Sequence, residues 1–470
     1  MSRMDHRNNR RKTWISRVSQ YVDSSAGRIS LTIALISIIG LYLYGREIRN
    51  KIAGVPTPSV VFRDKKRRRV LIIGGGYAGL LLAKALHHKL RDAPVHIEVL
   101  EARDKFYHNV ASCRAVTEPG FGKQLWIPYD RFPVFVRRNC QVTDVHTNYV
   151  VTATNEEIPF DYLVLATGSI NSIPSKFPIT TASSQAVATL GRIQRSVAEA
   201  QHILIIGGGA AGCEIAGDIV DRYPSKRITI VEALATLLPG RAVTDEMRKV
   251  VTEKLARRAV EIVTGARVLL EDEEFELSGA GFPEPRRRVL FTDSGMALDS
   301  DLQIVCSGNL HYNGHCLQKL AHTHPTILDE HTHEVCVRKT LQLYDPMLPH
   351  IFAIGDVANC ITSKTIVACE IQAKVAVQNL LVLLNAEFES GVGRDDLPAR
   401  LKALVQVEPL QEFGVPGPLL FITLGRSDGA AQLPFLGVLG GWFMRRLKSQ
   451  DGMTASWWRQ LGYDNVLSNT

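Results

Sequence analysis

Short apolar runs that end on glycine or on a single acid organise this chain. Val70–Ile73 (VLII) leads into Gly74-Gly75-Gly76-Tyr77-Ala78-Gly79, and a helical stretch follows to about His88. The next apolar run, HIEVLE, closes on Glu101, 22 residues after Gly79. Strand, glycine turn, helix, strand and acid form the context in which G-x-G-x-x-G binds a dinucleotide. Gly74 permits the tight turn. Gly76 lets backbone N–H groups approach a diphosphate at the helix N-terminus, Gly79 lets helix and strand pack closely, and Glu101 accepts from ribose hydroxyls.

The pattern occurs twice. His202–Ile206 leads into Gly207-Gly208-Gly209-Ala210-Ala211-Gly212, with Glu214 two residues on, and ITIVE ends at Glu232. The two fingerprints start 133 residues apart. Further on, Asp161–Gly168 (DYLVLATG, with Thr167 and Gly168 at its turn) is echoed by Asp301–Gly308, their glycines 140 apart. This is an internal duplication of a nucleotide-binding unit. Later, Ile351–Ile354 runs into Gly355-Asp356, an acid at the end of an apolar strand, where ligands of open α/β sheets lie. A carboxylate there suits a polyol such as the ribityl chain of a flavin.

One apolar run lies outside this scheme. Ile29–Gly45 is seventeen residues without a charge, flanked by Arg28 and Arg46. At 1.5 Å rise per residue it spans about 25 Å, which predicts a single-pass N-terminal membrane anchor. Residues 1–28 are basic and acid-poor, as in a mitochondrial presequence. A mitochondrial membrane is therefore the first expectation for location, with the endoplasmic reticulum or the lipid-droplet surface next.

Charge sharpens this picture. The 470 residues carry a formal net charge of +8, a hint of nucleic acid. Residues 1–69 hold 16 Lys and Arg against 4 Asp and Glu, a net of +12, so the remaining body is −4. The basic character belongs to the anchor region, Lys65–Arg69 (KKRRR) suits anionic lipid headgroups, and no nucleic-acid partner is expected. The eight cysteines include no C-x-x-C or C-x4-C pair, which disfavours a redox disulfide and a zinc site. Six histidines between 311 and 333 do not specify convergent metal geometry, so no metal is expected.

The most specific segments are Phe106–Ala115 (FYHNVASCRA) with Gly120-Phe121, Gly425–Gly429 (GRSDG) and Arg446–Ser449 (RLKS). On these and the paired fingerprints, residues 70–470 resemble the apoptosis-inducing-factor-like, ferroptosis-suppressor type of NAD(P)H:quinone oxidoreductase. The resemblance implies two Rossmann-like α/β domains, with the NAD(P)H domain (173–309) inserted in an FAD domain (70–172 and 310–400). Residues 401–470 would cap the flavin and face the membrane. It implies that Gly74–Gly79, Glu101, Arg114, Thr167, Gly168, Gly355 and Asp356 hold FAD, and that a strand residue, Cys140, offers its backbone to the adenine. Gly207, Gly209, Gly212, Glu214 and Glu232 would face NAD(P)H. His108, Asn109 and Lys448 would lie near the isoalloxazine or the quinone; His108 would serve as a proton donor or a hydrogen-bond partner of a quinone oxygen, and Lys448 would polarise a carbonyl or stabilise the anionic N1–C2 edge of reduced flavin.

The reaction expected is hydride transfer from NAD(P)H to flavin and two electrons onward to a lipid quinone, since Cys113 alone cannot form a disulfide relay. Glu232 repels a 2′-phosphate, which favours NADH. Trp442, Trp457, Trp458, Phe435, Leu436, Phe443 and Met444 beside basic residues suit a membrane interface. Two rivals stand beside this reading. One is a respiratory type II NADH dehydrogenase, although 365–385 lacks that family's paired glutamines. The other is an apoptosis-inducing-factor-like redox signalling protein, against which the acidic body argues.

Overall fold

The computed structural model describes residues 67–464 except 241, 271–285, 307–310, 361–363, 391–395, 408, 416, 418 and 435. All belong to one compact unit, Val60–Thr470. The expected anchor (29–45), nearly all of region 1–69, the Ser307-Gly308 turn and Phe435 lie outside the described residues.

Nine strands of the described chain build two parallel sheets: β1 (Arg68–Ile73), β2 (Val95–Leu100), β3 (Phe135–Arg137), β4 (Tyr162–Leu165), β5 (His202–Ile206), β6 (Arg227–Glu232), β7 (Val260–Thr264), β8 (Leu302–Val305) and β9 (Ile351–Ala353). The first sheet has the order β9-β4-β1-β2-β3 and the second β7-β6-β5-β8. Both central strands are continuous Val/Leu/Ile runs because both faces of each sheet are buried; on one face of the second, Leu204 and Val231 pack against Leu298 of an antiparallel hairpin, Arg288–Phe291 with Ala297–Ser300. Val70, Leu71 and Ile72 are fully buried, as are Ile203 and Ile205. Since β9 rejoins the first sheet after β5–β8 have formed the second, the second Rossmann unit is inserted in the sequence of the first.

Five helices matter for the site: α1 (Tyr77–Lys89), α2 (Ser183–Glu199), α3 (Ala210–Arg222), α4 (Asp245–Ala256) and α5 (Ile366–Ser390). Among the described residues α5 is long and apolar enough to cross a membrane, but 61% of its apolar stretch is buried in the protein. Its polar residues fix it as a core helix. Gln372 accepts from Gly355 N–H at 2.6 Å, and Asn379 donates to Thr340 and Gln411 carbonyls at 2.9 Å.

Near the end of α5, Glu387 is only 3% exposed. It receives Arg68 Nε at 2.8 Å, Arg400 Nε at 2.5 Å and the Tyr162 hydroxyl at 2.6 Å. Arg400 also pairs with Asp161 at 3.2 Å. Two cations and two carboxylates cancel, which makes their burial tolerable. This corrects the view of Lys65–Arg69 as one lipid-facing basic run. Arg68 is 1% exposed and points into the protein, because it belongs to β1.

The C-terminal part adds a three-stranded antiparallel sheet, Leu420–Thr423, Gly429–Leu433 and Gly437–Leu439, then short helical turns to Gln460. The GRSDG motif is its fastening. Gly425 sits at φ +82°, where a side chain would strike Asp221. Asp428 receives Lys254 Nζ at 2.7 Å and Arg258 Nη2 at 3.0 Å, tying the segment to α4 and the turn after it.

Candidate functional site: a flavin cavity and a second nucleotide turn

The two glycine turns are built alike down to their bonds. Gly74 and Gly207 adopt φ +107° and +112°, open only to glycine. A Cβ on Gly79 or Gly212 would lie 2.0 Å from the carbonyl oxygen of Gly74 or Gly207 respectively. Gly76 and Gly209 cap α1 and α3 without any side-chain hydrogen bond, and nothing lies within 4 Å of the Cβ each lacks. Each helix therefore presents free N–H groups to open space, an anion site. Glu101 Oε2 accepts from Gly75 N–H at 2.5 Å, and Glu232 Oε2 from Gly208 N–H at 2.8 Å. The other oxygens accept from Arg103 N–H at 2.8 Å and Leu234 N–H at 2.9 Å. Both carboxylates are thus held at the mouth of their turns, with lone pairs left for ribose hydroxyls.

Around the first turn is a cavity of about 280 Å³. It gathers Gly74, Gly75, Gly76, Tyr77, Ala78, Glu101, Asn109, Cys140, Thr167, Gly168, Gly355 and Asp356 from six separate parts of the chain. Asn109 Oδ1 is buried there without a hydrogen-bond partner among the described residues. Asp356 Oδ2 receives Ser169 Oγ at 2.8 Å and Lys176 Nζ at 2.9 Å. Burial pushes the Asp356 carboxyl up, but the Lys176 ammonium and these hydrogen bonds outweigh it, so it stays ionised below the usual carboxylate range. An open helix terminus, an acid for a ribose, an ionised acid further along and an unsatisfied amide oxygen fit FAD.

Several expected residues stand elsewhere. Cys140 reaches the cavity from an irregular link between strands, not from a strand, and its N–H is committed to the Glu101 carbonyl at 2.9 Å. Arg114 does not reach the cavity. Its Nε binds Asp218 Oδ1 at 2.8 Å, and its Nη2 binds Gly425 and Ser449 carbonyls at 3.3 and 3.0 Å. It joins the turn Asn109–Val116, helix α3 and the C-terminal segment. Burial, only partly opposed by Arg114, pushes the Asp218 carboxyl up to about 7.

Lys448 and Glu214, assigned to separate ligands, pair with each other: Nζ lies 2.6 Å from Glu214 Oε1, which also accepts from Thr423 N–H at 3.0 Å. The Lys448 charge is therefore already answered, and neither residue lines the cavity.

His108 is wholly buried and does not line the cavity either. Gly452 O can only accept, so the Nε2–H donates to it at 2.9 Å. Nδ1 then accepts from the Tyr77 hydroxyl at 2.8 Å, and that oxygen accepts from Val110 N–H at 3.2 Å. Burial pulls the imidazole down to about 4, against the opposing pull of the Gly452 carbonyl. A neutral ring whose one proton is held by a backbone carbonyl is not a proton donor to the cavity, which corrects that expectation. Its role is to fix Tyr77, which does line the cavity.

Tyr77 and Phe106 also pack on Trp457, at ring distances of 4.6 and 5.3 Å. Trp457 is buried there, and Phe443 and Met444 are buried too, with Met444 beside Gly429 of the C-terminal sheet, so none of the three faces a membrane, whereas Leu436 remains 41% exposed.

Sequence reasoning missed Lys176, Ser169, Tyr129 and Asn313. Tyr129 donates to the Gly75 carbonyl at 2.9 Å, and Asn313 Nδ2 donates to the Thr167 carbonyl at 2.9 Å. Ser169 opens a short strand directly after the Asp161–Gly168 motif, which could have pointed to it, whereas Lys176, Tyr129 and Asn313 come from segments without a motif and no sequence signal marks them.

All eight cysteines are free. Cys113 is buried away from the cavity with its thiol pushed well up by burial. In the histidine-rich stretch, the His315 and His333 rings lie 4.0 Å apart in a tilted pair and His324 binds Asp345 at 2.7 Å. Among the described residues no group of three metal-ligating side chains converges.

Comparison with known proteins agrees with this geometry. The chain is 29% identical over 401 residues to apoptosis-inducing factor homolog B of Dictyostelium discoideum, covering 82% of this chain and 94% of that one. It is 29% identical over 401 residues to ferroptosis suppressor protein 1 of Homo sapiens, covering 83% and 95%. Among solved structures, the sulfide:quinone oxidoreductase of Aquifex aeolicus superposes with a TM-score of 0.58 at 16% identity, covering 84% and 92%. The NAD-dependent persulfide reductase of A. fulgidus does so with 0.53 at 19%, and this chain covers 64% of its length. These structures share the fold. The family model for pyridine nucleotide-disulphide oxidoreductases matches residues 131–378, more than half of the chain. The chain belongs to the pyridine nucleotide-disulphide oxidoreductase family, as an FAD-dependent NAD(P)H oxidoreductase.

Proposed function

We propose that this protein passes electrons from NAD(P)H through FAD directly to a lipid quinone. The observation that carries this reading is the cavity wall. Cys140, Cys316 and Cys369 reach it, burial pushes each thiol up, and none is joined to another. The acceptor then meets the flavin without a dithiol relay. The resemblance carried by Phe106–Ala115 and Arg446–Ser449, and the likeness to ferroptosis suppressor protein 1, support a quinone as that acceptor.

FAD, when bound, supplies the two-electron chemistry. The chain supplies place and field. The N-terminus of α1 and Glu101 hold the adenosine diphosphate half, while Asp356 and Asn109 orient the ribityl and ring half. The N-terminus of α3 and Glu232 hold the nicotinamide dinucleotide, and the Glu232 carboxylate repels a 2′-phosphate, favouring NADH. Arg114 and the Lys448–Glu214 pair hold the C-terminal segment against both units.

The run 29–45 anchors the enzyme in a membrane, the mitochondrial membrane first, which brings it to a lipid-soluble acceptor. Steady-state turnover of the purified protein with NADH and a series of quinones tests the reading. Quinone-dependent NADH oxidation is expected, and turnover only with thiol or disulfide acceptors would refute it. A fluorescent fusion of residues 1–69 is expected on a membrane, and a diffuse signal would refute the anchor.

A further inference from the structure

Lys176 lies in a segment with no motif, between β4 and α2, and that segment is bound across the cavity wall at three places. The Tyr107 hydroxyl donates to the Pro174 carbonyl at 2.6 Å, and Arg103 Nη2 donates to the Phe177 carbonyl at 2.5 Å. Lys176 Nζ reaches Asp356 Oδ2 at 2.9 Å and Ser169 Oγ at 2.6 Å, while Ser169 Oγ itself donates to Asp356 at 2.8 Å. The Lys176 and Asp356 side chains are 18% and 21% exposed, and both residues line the cavity. Both bonds to Asp356 fall on Oδ2, so Oδ1 takes none among the described residues.

This arrangement answers an electrostatic problem. The fingerprint GGGYAG contains no cation, yet the cavity at its helix terminus has to take a doubly charged diphosphate. Glu101 and Asp356 both line this partly desolvated cleft and add to its negative charge, where like charges repel strongly; Arg103 and Lys105 line it too, but Lys176 is the cation bonded to Asp356. We propose that Lys176 is a cofactor-positioning residue: its ammonium cancels the Asp356 charge, which lets that acid present its free oxygen to the ribityl chain beside the diphosphate, and it closes the 173–178 segment over FAD. The proposal rests on the assignment of the cavity to FAD.

The test is FAD binding by full-length apoprotein, read from the quenching of flavin fluorescence. Lys176→Met is expected to weaken FAD binding by about tenfold or more, the scale of one charge-assisted bond, and Lys176→Arg to restore most of it. In an Asp356→Asn background the same Lys176→Met change is expected to cost several-fold less, because the charge that Lys176 pairs with is already gone. Unchanged melting of the apoprotein and unchanged NADH binding at the second turn identify the loss as local. FAD affinity of Lys176→Met within about twofold of the parent, or an equal loss in both backgrounds, would overturn the proposal. A parent chain without FAD affinity would instead overturn the cavity assignment together with it.

Discussion

The Tyr77 hydroxyl lies 2.8 Å from Nδ1 of His108, on the side of the imidazole opposite the Gly452 carbonyl. This fixes the tautomer, ties the first fingerprint to the C-terminal segment and leaves His108 no proton for the cavity. The rate of flavin reduction is therefore expected to show no inflection near pH 6.5, and His108→Gln is expected to alter FAD affinity more than the shape of the pH profile. Stopped-flow reduction by NADH between pH 5 and 8 checks both, and a histidine-like inflection abolished by His108→Gln would contradict the assignment.

His350 offers a separate test of acid sensitivity. It is fully buried, donates from Nε2 to the Thr147 carbonyl at 2.6 Å, and burial lowers it to about 4. The unfolded chain binds its proton from about pH 6.5 downward while the folded chain resists until about 4. More protons on the unfolded state means that stability falls as pH falls through this window, by on the order of 3 kcal/mol for this group. Asp218, raised to about 7, acts with the opposite sign. Comparing parent with His350→Gln cancels that contribution, and the variant is expected to lose less melting temperature between pH 6.5 and 4.

Removing Glu387 would leave Arg68 and Arg400 buried without their shared carboxylate. Glu387→Ala is expected to cost about 3–5 kcal/mol, and a chemical denaturation curve measures it. A loss below about 1 kcal/mol, the range of surface pairs, would mean that this cluster is hydrated.

Glu232 is held by Gly208 and Leu234 N–H groups at the end of β6. Glu232→Gln keeps the shape and removes the charge. It is expected to move the ratio of kcat/KM for NADPH over NADH upward by about tenfold. A parent enzyme that already prefers NADPH would contradict the role given to this acid.

The fold was legible because its signals are local and repeated. Apolar runs of three to six residues, each closed by glycine or by Glu101, Glu232 or Asp356, read as strands of dinucleotide-binding sheets, and the structure sets both fingerprints into matching bonds. What the sequence hid is pairing between distant side chains. Lys448 and Glu214, 234 residues apart, each looked like ligand residues and proved to be partners. Arg114 looked like a flavin residue because its neighbours are, yet its guanidinium turns to Asp218. Trp457 carried the composition of a membrane interface and packs on Phe106 instead, because aromatic surface suits a core equally well. Lys176 had no signal, as a lysine in a loop is ordinary until topology sets it against Asp356.

Cys113 gives a test of how electrons leave. Its thiol is buried and faces the Ala211 carbonyl at 3.8 Å, away from the cavity. Cys113→Ala is expected to leave quinone turnover within about twofold of the parent. A loss of two orders of magnitude in the folded variant would point to a thiol relay.

The central claim is that electrons pass from NAD(P)H through the flavin straight to a quinone. Stopped-flow mixing of NADH-reduced protein with a short-chain ubiquinone analogue tests it most directly. The account predicts flavin reoxidation that is complete, faster than steady-state turnover and first-order in quinone. A reduced flavin that persists for minutes in a long-wavelength complex with the oxidised nucleotide, indifferent to quinone concentration, would contradict it.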